Sequence, residues 1–593
     1  MNEIQRNHQT TINVTQKANL IWAIADIIGQ GLYKPHEYGK IILPMTVIKR
    51  FNDALLPTKA EVMREYEKTK HLQVADILLE RASGYLFYNI SPFTFENLVQ
   101  DPDHIEANFR AFLGGFSENV KDVLDNFEFE KEISKLANNG MLFLIIQEFN
   151  KPSAYMGPDL ISSTDMGYVF EELVRRFSES YNEQAGAHFT SRDIIYLMTD
   201  LLISEDREVL TQETVGKTVY DQTMGTSQML ACMEERIKDL NKEAGVILFG
   251  QELNPETYAI AKADMLIKGG NAENMKLGNT LTNDQFPGYT FDYCISNPPF
   301  GIDWKVEKSF VEAEAKKGNA GRFGVGLPRI SDGQQLFDLN GLAKLKDTGR
   351  MAIVHNGSPL FVGDAGSGSS EIRRYIIEND WLEAIVQLPN DSFYNTGITT
   401  YVWIMSKNKA PHRRGRVQLI DASKMFDKRR KSIGHKRNDI SEACREVIIQ
   451  AYGEFEDKEY ELGDRVCESK IFENIEFGFN RIVIETPEYD ENGQAVKNRG
   501  KKVADTKKRD YENVPLTEDI DSYFEREVKP YNPDAWIDKN KISVGYEIPF
   551  TRYFYKFQPP EKSEDIADRI MAMEKDLMVS LHELFSDGGE AVE

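Results

Sequence analysis

Short apolar runs alternate with amphipathic helical segments between residues 215 and 405, and this alternation constrains the fold more than any other feature. Helices are predicted at Met229–Leu240 and from Pro255, where Asn254 provides the N-cap. Such alternation produces an α/β fold with a mostly parallel sheet and helices on both faces. Ligands of these sheets bind beyond the carboxyl ends of the strands. The predicted strands are Val215–Asp221, Gly245–Glu252, Phe291–Ile295, Arg350–Val354, Glu383–Gln387 and Thr400–Met405.

The segments on either side of this region predict further domains. Residues 1–155 show apolar residues at helical spacing and predict a helical N-terminal domain, in which Pro44 is expected to begin a helix. The α/β domain is assigned to residues 156–425 and a mixed region with basic loops to residues 426–560. Residues 561–593 predict a C-terminal partner-docking helix, although a seam folded back onto the protein's own core remains open. The seam consists of Ile566, Ile570, Met573, Leu577, Leu581 and Leu584.

Composition excludes several classes of protein. Hydrophobic residues make up 41% and charged residues 28% of the chain, as in ordinary globular proteins, so a disordered or fibrous chain is not expected. No run of 18 apolar residues occurs and the first residues are polar, so neither a membrane span nor a secretory signal is predicted. The four cysteines lack C-x-x-C spacing, which argues against disulfides or zinc and favours a cytoplasmic protein.

The distribution of charge matters more than its sum. A net charge of −24 argues by itself against nucleic acid as a partner. The window from Lys407 to Arg437, however, contains twelve Lys and Arg against two Asp, and a smaller basic stretch extends from Lys497 to Arg509. Like-charged runs of this kind are either solvated loops or phosphate-facing patches. The sequence leaves both interpretations open.

The most specific chemical signal is the tetrapeptide Asn297-Pro298-Pro299-Phe300, directly after the predicted strand Phe291–Ile295. An amino group conjugated to a ring is a poor nucleophile because its lone pair is delocalised. The side-chain oxygen of Asn297 and the carbonyl oxygen of Pro298 can each accept one N–H of such an amine, and the two prolines hold these acceptors rigidly. Phe300 would stack on a base turned out of its duplex. We therefore assign these four residues as catalytic.

Three other turns predict a site for a nucleotide-like cofactor that supplies the electrophile. Asp221 follows the first strand and can accept a hydrogen bond from an amino or cationic group, while Gly225 permits close approach of the backbone. Glu252 ends the second strand, where an acid characteristically binds two ribose hydroxyls. Asn279 follows a further short predicted strand, between Gly245–Glu252 and Phe291–Ile295, and can contact the amino edge of an adenine. Each signal is weak alone. Their order along the chain, ahead of the tetrapeptide, makes them indicate a cofactor site.

In this order the motifs resemble those of the DNA-methyltransferase (M) subunit of type I restriction–modification systems, over nearly the whole chain. Gly186–Ser191 is similar to the family's segment that closes over the methionine part of S-adenosylmethionine, and Asp221–Gln228 to its cofactor loop. The resemblance implies a Rossmann-like class I S-adenosylmethionine-dependent methyltransferase domain with a helical N-terminal domain and a C-terminal helical tail. The cofactor-binding residues that it implies are Ala187, His188, Phe189, Thr190, Ser191, Asp221, Gly225, Thr226, Ser227, Glu252 and Asn279.

The resemblance also implies an activity and a set of partners. The activity is direct transfer of the sulfonium methyl of S-adenosylmethionine to N6 of a flipped adenine in double-stranded DNA. No metal is required, and Cys294, inside an apolar strand, is expected to be an inert thiol. The partners are a specificity (S) subunit that reads the DNA sequence, a second copy of the M subunit, and a restriction (R) subunit that can join.

Several positions depart from the family pattern, and two alternatives remain open. One alternative is a cofactor-impaired scaffold subunit of such a complex, because the loop Asp221–Gln228 is altered. The other is a protein glutamine-N5 methyltransferase, because an amide nitrogen presents the same lone-pair problem, although those enzymes are small and lack the N-terminal region and long tail. The departures are Gln222 for Pro, Ser227 and Gln228 for small residues, Asn279 for Asp, His188 for an aromatic residue and Ser191 for Pro.

Overall fold

The structure is a computed structural model, and the residues up to Ile548 form one compact unit while those from Pro549 form a second. Within the described residues, no helix combines the length and the apolar character needed to cross a bilayer. The residues that the structure describes are 17, 19, 23–29, 31–34, 37–72, 75–162, 165–167, 169–170, 173, 190–394, 396–557 and 561–586.

The N-terminal part is helical, as its apolar spacing predicts. Its phenylalanine side chains pack into a hydrophobic core that continues into the central sheet. Pro44 lies inside the first of the helices below, so the expectation that it begins a helix is wrong. Every residue of this helix from Ile41 to Leu55 is buried, and packing on all sides outweighs the lost backbone hydrogen bond. The helices are Gly39–Leu55, Lys59–Thr69, Ala75–Ser83, Phe95–Leu98, Ile105–Gly114, Glu118–Asp125, Glu130–Asn138 and Met141–Phe149.

A ten-stranded sheet forms the centre of the larger unit, and all six predicted strands belong to it. Among the predicted strands the largest difference is in β5, which begins at Leu345 rather than Arg350, because residues 346–349 are polar or glycine and apolar patterning does not reveal them. The strands are β1 Gly216–Asp221, β2 Gly245–Glu252, β3 Met275–Leu277, β4 Phe291–Ser296, β5 Leu345–Asn356, β6 Leu382–Gln387, β7 Thr400–Ser406 and β8 Arg416–Asp421. They are followed by a separate hairpin, β9 Asp427–Ile433 and β10 Lys436–Asp439, and by β11 Lys458–Leu462 and β12 Arg465–Glu473.

The order of the strands locates the ligand crevice. The sheet runs β11-β12-β8-β6-β7-β5-β4-β1-β2-β3, in which β3, β2, β1, β4 and β5 are mutually parallel and β7 is antiparallel to both of its neighbours. From β1 the chain moves to β2 on one side, and β4 then pairs with β1 on the other. A sheet whose order reverses in this way binds its ligand beyond the carboxyl ends of the two central strands, here β1 and β4.

Helices cover the sheet and end where the sequence predicts. Asn254 caps the helix Pro255–Ile267 by accepting a hydrogen bond from the Thr257 backbone at 2.9 Å, and Gly269 follows that helix with φ +76°. Lys262 of this helix forms an ion pair with Asp122 at 2.8 Å, which ties the N-terminal helices to the sheet. The other helices of this unit after residue 190 are Arg192–Ile203, Arg207–Leu210, Gln228–Leu240, Lys308–Ala315, Gln334–Ala343, Ser358–Phe361, Gly368–Glu378, Glu442–Glu454 and Ile520–Tyr523.

Part of the basic window is structural rather than solvated. Arg413 is fully buried and forms ion pairs with Glu383 at 3.2 Å and Glu205 at 2.8 Å. Lys409 is likewise buried against Asp380 at 2.6 Å. These basic residues balance acids inside the fold, so neither interpretation of the basic run from the sequence holds for them.

The C-terminal part of the larger unit contains a second, smaller sheet with its own apolar core. Its strands are β13 Gly478–Glu485, β16 Asp510–Pro515, β17 Trp536–Ile537 and β18 Ser543–Tyr546, and a short hairpin lies between them, with β14 Lys497–Asn498 and β15 Lys501–Lys502. The predicted basic loops of residues 426–560 are therefore two β-hairpins, one at each basic stretch. The second unit contains the helices Phe550–Phe554 and Ser563–Ser586.

Candidate active site

The catalytic candidate Asn297 is the first residue after β4 and lies at the ligand crevice. Its side-chain nitrogen donates a hydrogen bond to Thr190 Oγ1 at 2.7 Å. Its side-chain oxygen is buried and accepts no hydrogen bond from any residue that the structure describes. A buried acceptor without a donor is costly, and a catalytic role or a bound ligand is one explanation for such a group in a native protein. The amide therefore presents a free, oriented acceptor at the position where the sequence predicts catalysis.

The rest of the tetrapeptide forms a wall beside this acceptor. Pro298 is buried, whereas Pro299 and Phe300 are partly exposed. The Phe300 ring meets the ring of Phe393 edge-on, with centroids 6.1 Å apart. Phe393 itself is buried and belongs to the segment Leu388–Ile398, between β6 and β7. A half-exposed ring next to a free amide oxygen suits a flat heteroaromatic amine.

Hydrogen bonds join the cofactor loop to the catalytic turn. Asp221 Oδ1 accepts from the Thr223 backbone at 3.0 Å, and Thr223 Oγ1 is 3.0 Å from the hydroxyl of Ser296, the residue before Asn297. Thr280 Oγ1 donates to the Gln222 carbonyl at 2.6 Å, which adds the turn after β3. The turns after β1, β3 and β4 therefore meet at one edge of the sheet.

Two buried carboxyl groups line the crevice. Asp221 is 1% exposed, and burial, together with the nearby Glu252, raises the pKa of its carboxyl to about 8. Glu252 is 7% exposed; one of its oxygens accepts from the Gly225 backbone at 2.9 Å, and the other accepts from Leu253 and Asn254. Neither carboxyl forms an ion pair with a basic side chain among the described residues. Such a pair of acids fits a ligand that carries positive charge.

The cofactor loop differs from the family pattern in ways that the structure explains. Ser227 adopts a left-handed backbone with φ +65°, a conformation that favours glycine, which accounts for small residues at this place in the family pattern. The Gln222 amide donates to the Phe337 carbonyl at 3.0 Å and accepts from Asn340 at 2.6 Å. Gln222 is thus bound to the helix Gln334–Ala343 instead of filling the crevice.

The remaining predicted residues have mixed placements. Thr226 is buried in the turn after β1, and Ser191 is buried directly before the helix Arg192–Ile203. The Asn279 side chain accepts from Leu281 N at 2.9 Å and donates to Glu307 at 2.9 Å, so both ends of its amide are already engaged. Ala187, His188 and Phe189 lie outside the described residues. Cys294 is fully buried, and burial raises the pKa of its thiol well above the ordinary value, which makes it unreactive.

Thr190, which the sequence assigns to cofactor binding, also contacts Asn297, and this contact, which no local pattern reveals, leads to a test. Thr190→Val removes the acceptor for Asn297 Nδ2 and frees the amide to rotate, so kcat for methyl transfer should fall about tenfold. Thr190→Ser keeps the hydroxyl and should restore kcat. The KM for the cofactor should change little in either variant. A raised cofactor KM with unchanged kcat would show that Thr190 binds cofactor and does not position Asn297.

The sheet, the acids that end β1 and β2 and the tetrapeptide after β4 are those of a class I S-adenosylmethionine-dependent methyltransferase. A family model described as N-6 DNA methylase matches residues 162–489, which is more than half of the chain, and one described as HsdM N-terminal domain matches residues 17–149. The chain belongs to the N-6 DNA methylase family. It is thus a DNA adenine methyltransferase, of the kind that forms the methylase subunit of type I restriction enzymes.

Curated relatives agree with this family, and a solved structure shares the fold. The type I restriction enzyme MjaIX methylase subunit of Methanocaldococcus jannaschii is 22% identical over 75% of this chain and 79% of its own length. The HindI methylase subunit of Haemophilus influenzae is 25% identical over 73% of this chain and 94% of its own length. The crystal structure of the type I restriction–modification methyltransferase subunit from Streptococcus thermophilus shares the fold, with a TM-score of 0.61 and 24% identity over 78% of this chain and 97% of that chain.

Proposed function

We propose that this chain methylates N6 of an adenine that is turned out of its DNA duplex, as the methylating subunit of a type I complex. The observation that carries the proposal is the buried Asn297 oxygen, which has no donor among the described residues and lies next to a half-exposed Phe300. An exocyclic amino group supplies the missing donor, and an aromatic base supplies a face for the ring.

The roles of the residues follow from the geometry of the turn. Asn297 Oδ1 accepts one N–H of the adenine amino group and the Pro298 carbonyl accepts the other, which draws the nitrogen towards a tetrahedral geometry and frees its lone pair. Phe300 holds the ring, while Thr190 fixes the Asn297 amide by accepting from its nitrogen. The turn is partly exposed to solvent. Solvent can therefore take the proton that the methylated nitrogen loses, and no general base is assigned.

The buried acids fit S-adenosylmethionine, which supplies an electrophilic methyl group when bound. Asp221 would face its positive charge, and Glu252 would accept hydrogen bonds from its ribose. A carboxylate has about four acceptor positions, and three backbone N–H groups use three of those of Glu252, so about one remains for a ribose hydroxyl. Thr226 and Ser227 would complete the wall of this loop.

A methyl-transfer assay tests the proposed function against its alternatives. The full chain is given S-adenosylmethionine with a labelled methyl group, together with duplex DNA or with a glutamine-containing translation factor. Label in DNA is expected. Label in the protein alone would establish the glutamine alternative, and a calorimetric titration without any binding heat would establish the scaffold alternative.

We also propose that the chain assembles with a specificity subunit, a second M subunit and, in the full enzyme, a restriction subunit. Four segments would carry these roles: a helical domain to residue 155, the methyltransferase domain to 425, the mixed region to 560 and a docking helix beyond it. The support for docking lies in the helix Ser563–Ser586, whose seam residues Ile570, Met573 and Leu577 are 60–70% exposed. Coiled-coil seams are stabilised by burial against a partner helix.

The seam makes a specific prediction for assembly. Met573→Glu with Leu577→Glu places charges in the proposed interface, so the yield of co-purified specificity subunit should fall at least about tenfold, a loss of roughly 1.4 kcal/mol or more. The matched control is Met571→Glu with Met578→Glu, two residues that are also exposed but lie off the seam. Equal loss of the partner in both variants, or in neither, would contradict the docking helix.

A further inference from the structure

A positively charged hairpin lies beside the catalytic turn. Strands β9 and β10 form this hairpin with antiparallel pairing. Its backbone is bound to the segment that contains Phe393: His435 N donates to the Tyr394 carbonyl at 2.9 Å, and Arg437 N donates to the Asp391 carbonyl at 2.8 Å. Phe393 in turn contacts Phe300. One short segment therefore separates the hairpin from the tetrapeptide.

A buried lysine also fixes the hairpin to the rest of the fold. Lys436 is 1% exposed and its ammonium contacts Asp193 at 2.9 Å and the Ser392 carbonyl at 3.0 Å. Asp193 also accepts from the Ile440 backbone at 2.7 Å, and it lies three residues after Thr190, the partner of Asn297. These contacts hold the hairpin in a fixed position relative to the catalytic amide.

The hairpin also carries exposed cations that pair with no acid among the described residues. Lys428, Arg430, Lys431 and Arg437 are exposed, and none of them forms an ion pair with a residue that the structure describes. Their neighbours Arg429 and Lys436 do pair with acids and belong to the scaffold. In a chain with a net charge of −24, four exposed cations on one hairpin without acidic partners among the described residues form a local exception.

We infer that this hairpin is a phosphate-binding surface that holds the DNA backbone next to the flipped base. The inference rests on the proposed function, because it takes DNA as the substrate of the adjacent site. Phosphate contacts fix the position of a duplex without reading its sequence, and the exposed Lys and Arg supply them. An acidic protein can hold DNA in this way, since only the surface at the crevice has to be positive.

The test compares two sets of charge removals in the full-length chain. The hairpin variant carries Lys428→Gln, Arg430→Gln, Lys431→Gln and Arg437→Gln. The matched control removes four exposed cations of the second basic stretch that form no ion pair with a described residue: Lys497→Gln, Arg499→Gln, Lys501→Gln and Lys507→Gln. The dissociation constant for a mixed-sequence duplex is measured by fluorescence anisotropy from 50 to 300 mM salt, and cofactor affinity is measured in parallel.

The hairpin variant should bind DNA about tenfold more weakly at low salt, with a salt slope reduced by about 0.9 for each lost phosphate contact, while the control and the cofactor affinity stay near wild type. Any of three results would overturn the inference. The salt slope could be the same in the hairpin variant and the wild type, the loss of DNA affinity could be equal in the hairpin and control variants, or the wild type could fail to bind the duplex. If DNA binding depends on the hairpin but no DNA is methylated, the proposed function alone is contradicted. If DNA is methylated but DNA binding does not depend on the hairpin, only the role of the hairpin is contradicted.

Discussion

Asn297→Ala is expected to lower kcat for DNA methylation by about 10³-fold, because it removes an acceptor that acts on the nucleophile as its lone pair is freed. The affinity for S-adenosylmethionine should stay within about twofold of wild type, since no contact joins Asn297 to Asp221 or Glu252 directly. The measurement is single-turnover methyl transfer together with a calorimetric titration of the cofactor. Substantial turnover in the alanine variant would remove the mechanism proposed for this turn.

Asn297→Asp provides a control for this variant. It retains side-chain oxygens that can accept from the adenine amino group, but it loses the N–H that Thr190 accepts. Its rate should therefore lie between those of the wild type and the alanine variant. An aspartate variant as inactive as alanine would show that the fixed orientation of the amide matters as much as its acceptor.

Asp221→Asn is expected to weaken cofactor binding by at least about tenfold at pH 8 and to remove its dependence on pH. The pKa of this buried carboxyl is about 8, so it is mostly protonated at pH 7 in the free protein. A cationic ligand favours the ionised form, so binding releases a proton and the wild-type affinity should rise from pH 6 to pH 8, by up to tenfold per unit. The variant cannot ionise, and its affinity should be flat. A parallel rise in both proteins would contradict the role of Asp221.

Stability in the absence of cofactor gives an independent check of the same group. The pKa in the folded state lies above the ordinary value of 3.8, so folding takes up a proton at Asp221. The contribution of Asp221 to stability is therefore full at low pH and is lost as pH rises from about 4 to about 8. Urea unfolding at pH 6 and pH 8 should show a smaller decrease in Asp221→Asn than in the wild type. Asparagine keeps an acceptor for the Thr223 backbone, so the variant is expected to fold.

The parts of the fold and site that could be predicted are those with local patterns. Alternating apolar runs mark the strands, and parallel strands bring their carboxyl ends to one edge, which is why Asp221, Glu252 and Asn297 could be placed at a common crevice. The Asn254 cap and the Pro255 helix start are likewise written into neighbouring residues. These predictions need only the spacing of apolar residues along the chain and the handedness of the connections between parallel strands.

The parts that could not be predicted depend on partners far along the chain. Thr190 reaches Asn297 across 107 residues, and Gln222 binds Asn340 across 118, so no local pattern shows either contact. The buried part of the basic window could not be predicted for the same reason, because Arg413 is neutralised by acids on distant elements. Pro44 shows the opposite error. The local rule that proline begins a helix predicted the wrong position, because burial on every side keeps Pro44 inside the helix.

Nucleoside mass spectrometry of DNA tests the central claim most directly. The chain and its specificity subunit are expressed in a host that lacks adenine methylation, with wild-type or Asn297→Ala protein, and the digested genomic DNA is analysed. The account predicts N6-methyldeoxyadenosine with the wild type and none with the variant. Methylated cytosine with the wild type, or N6-methyldeoxyadenosine that persists in the variant, would contradict it.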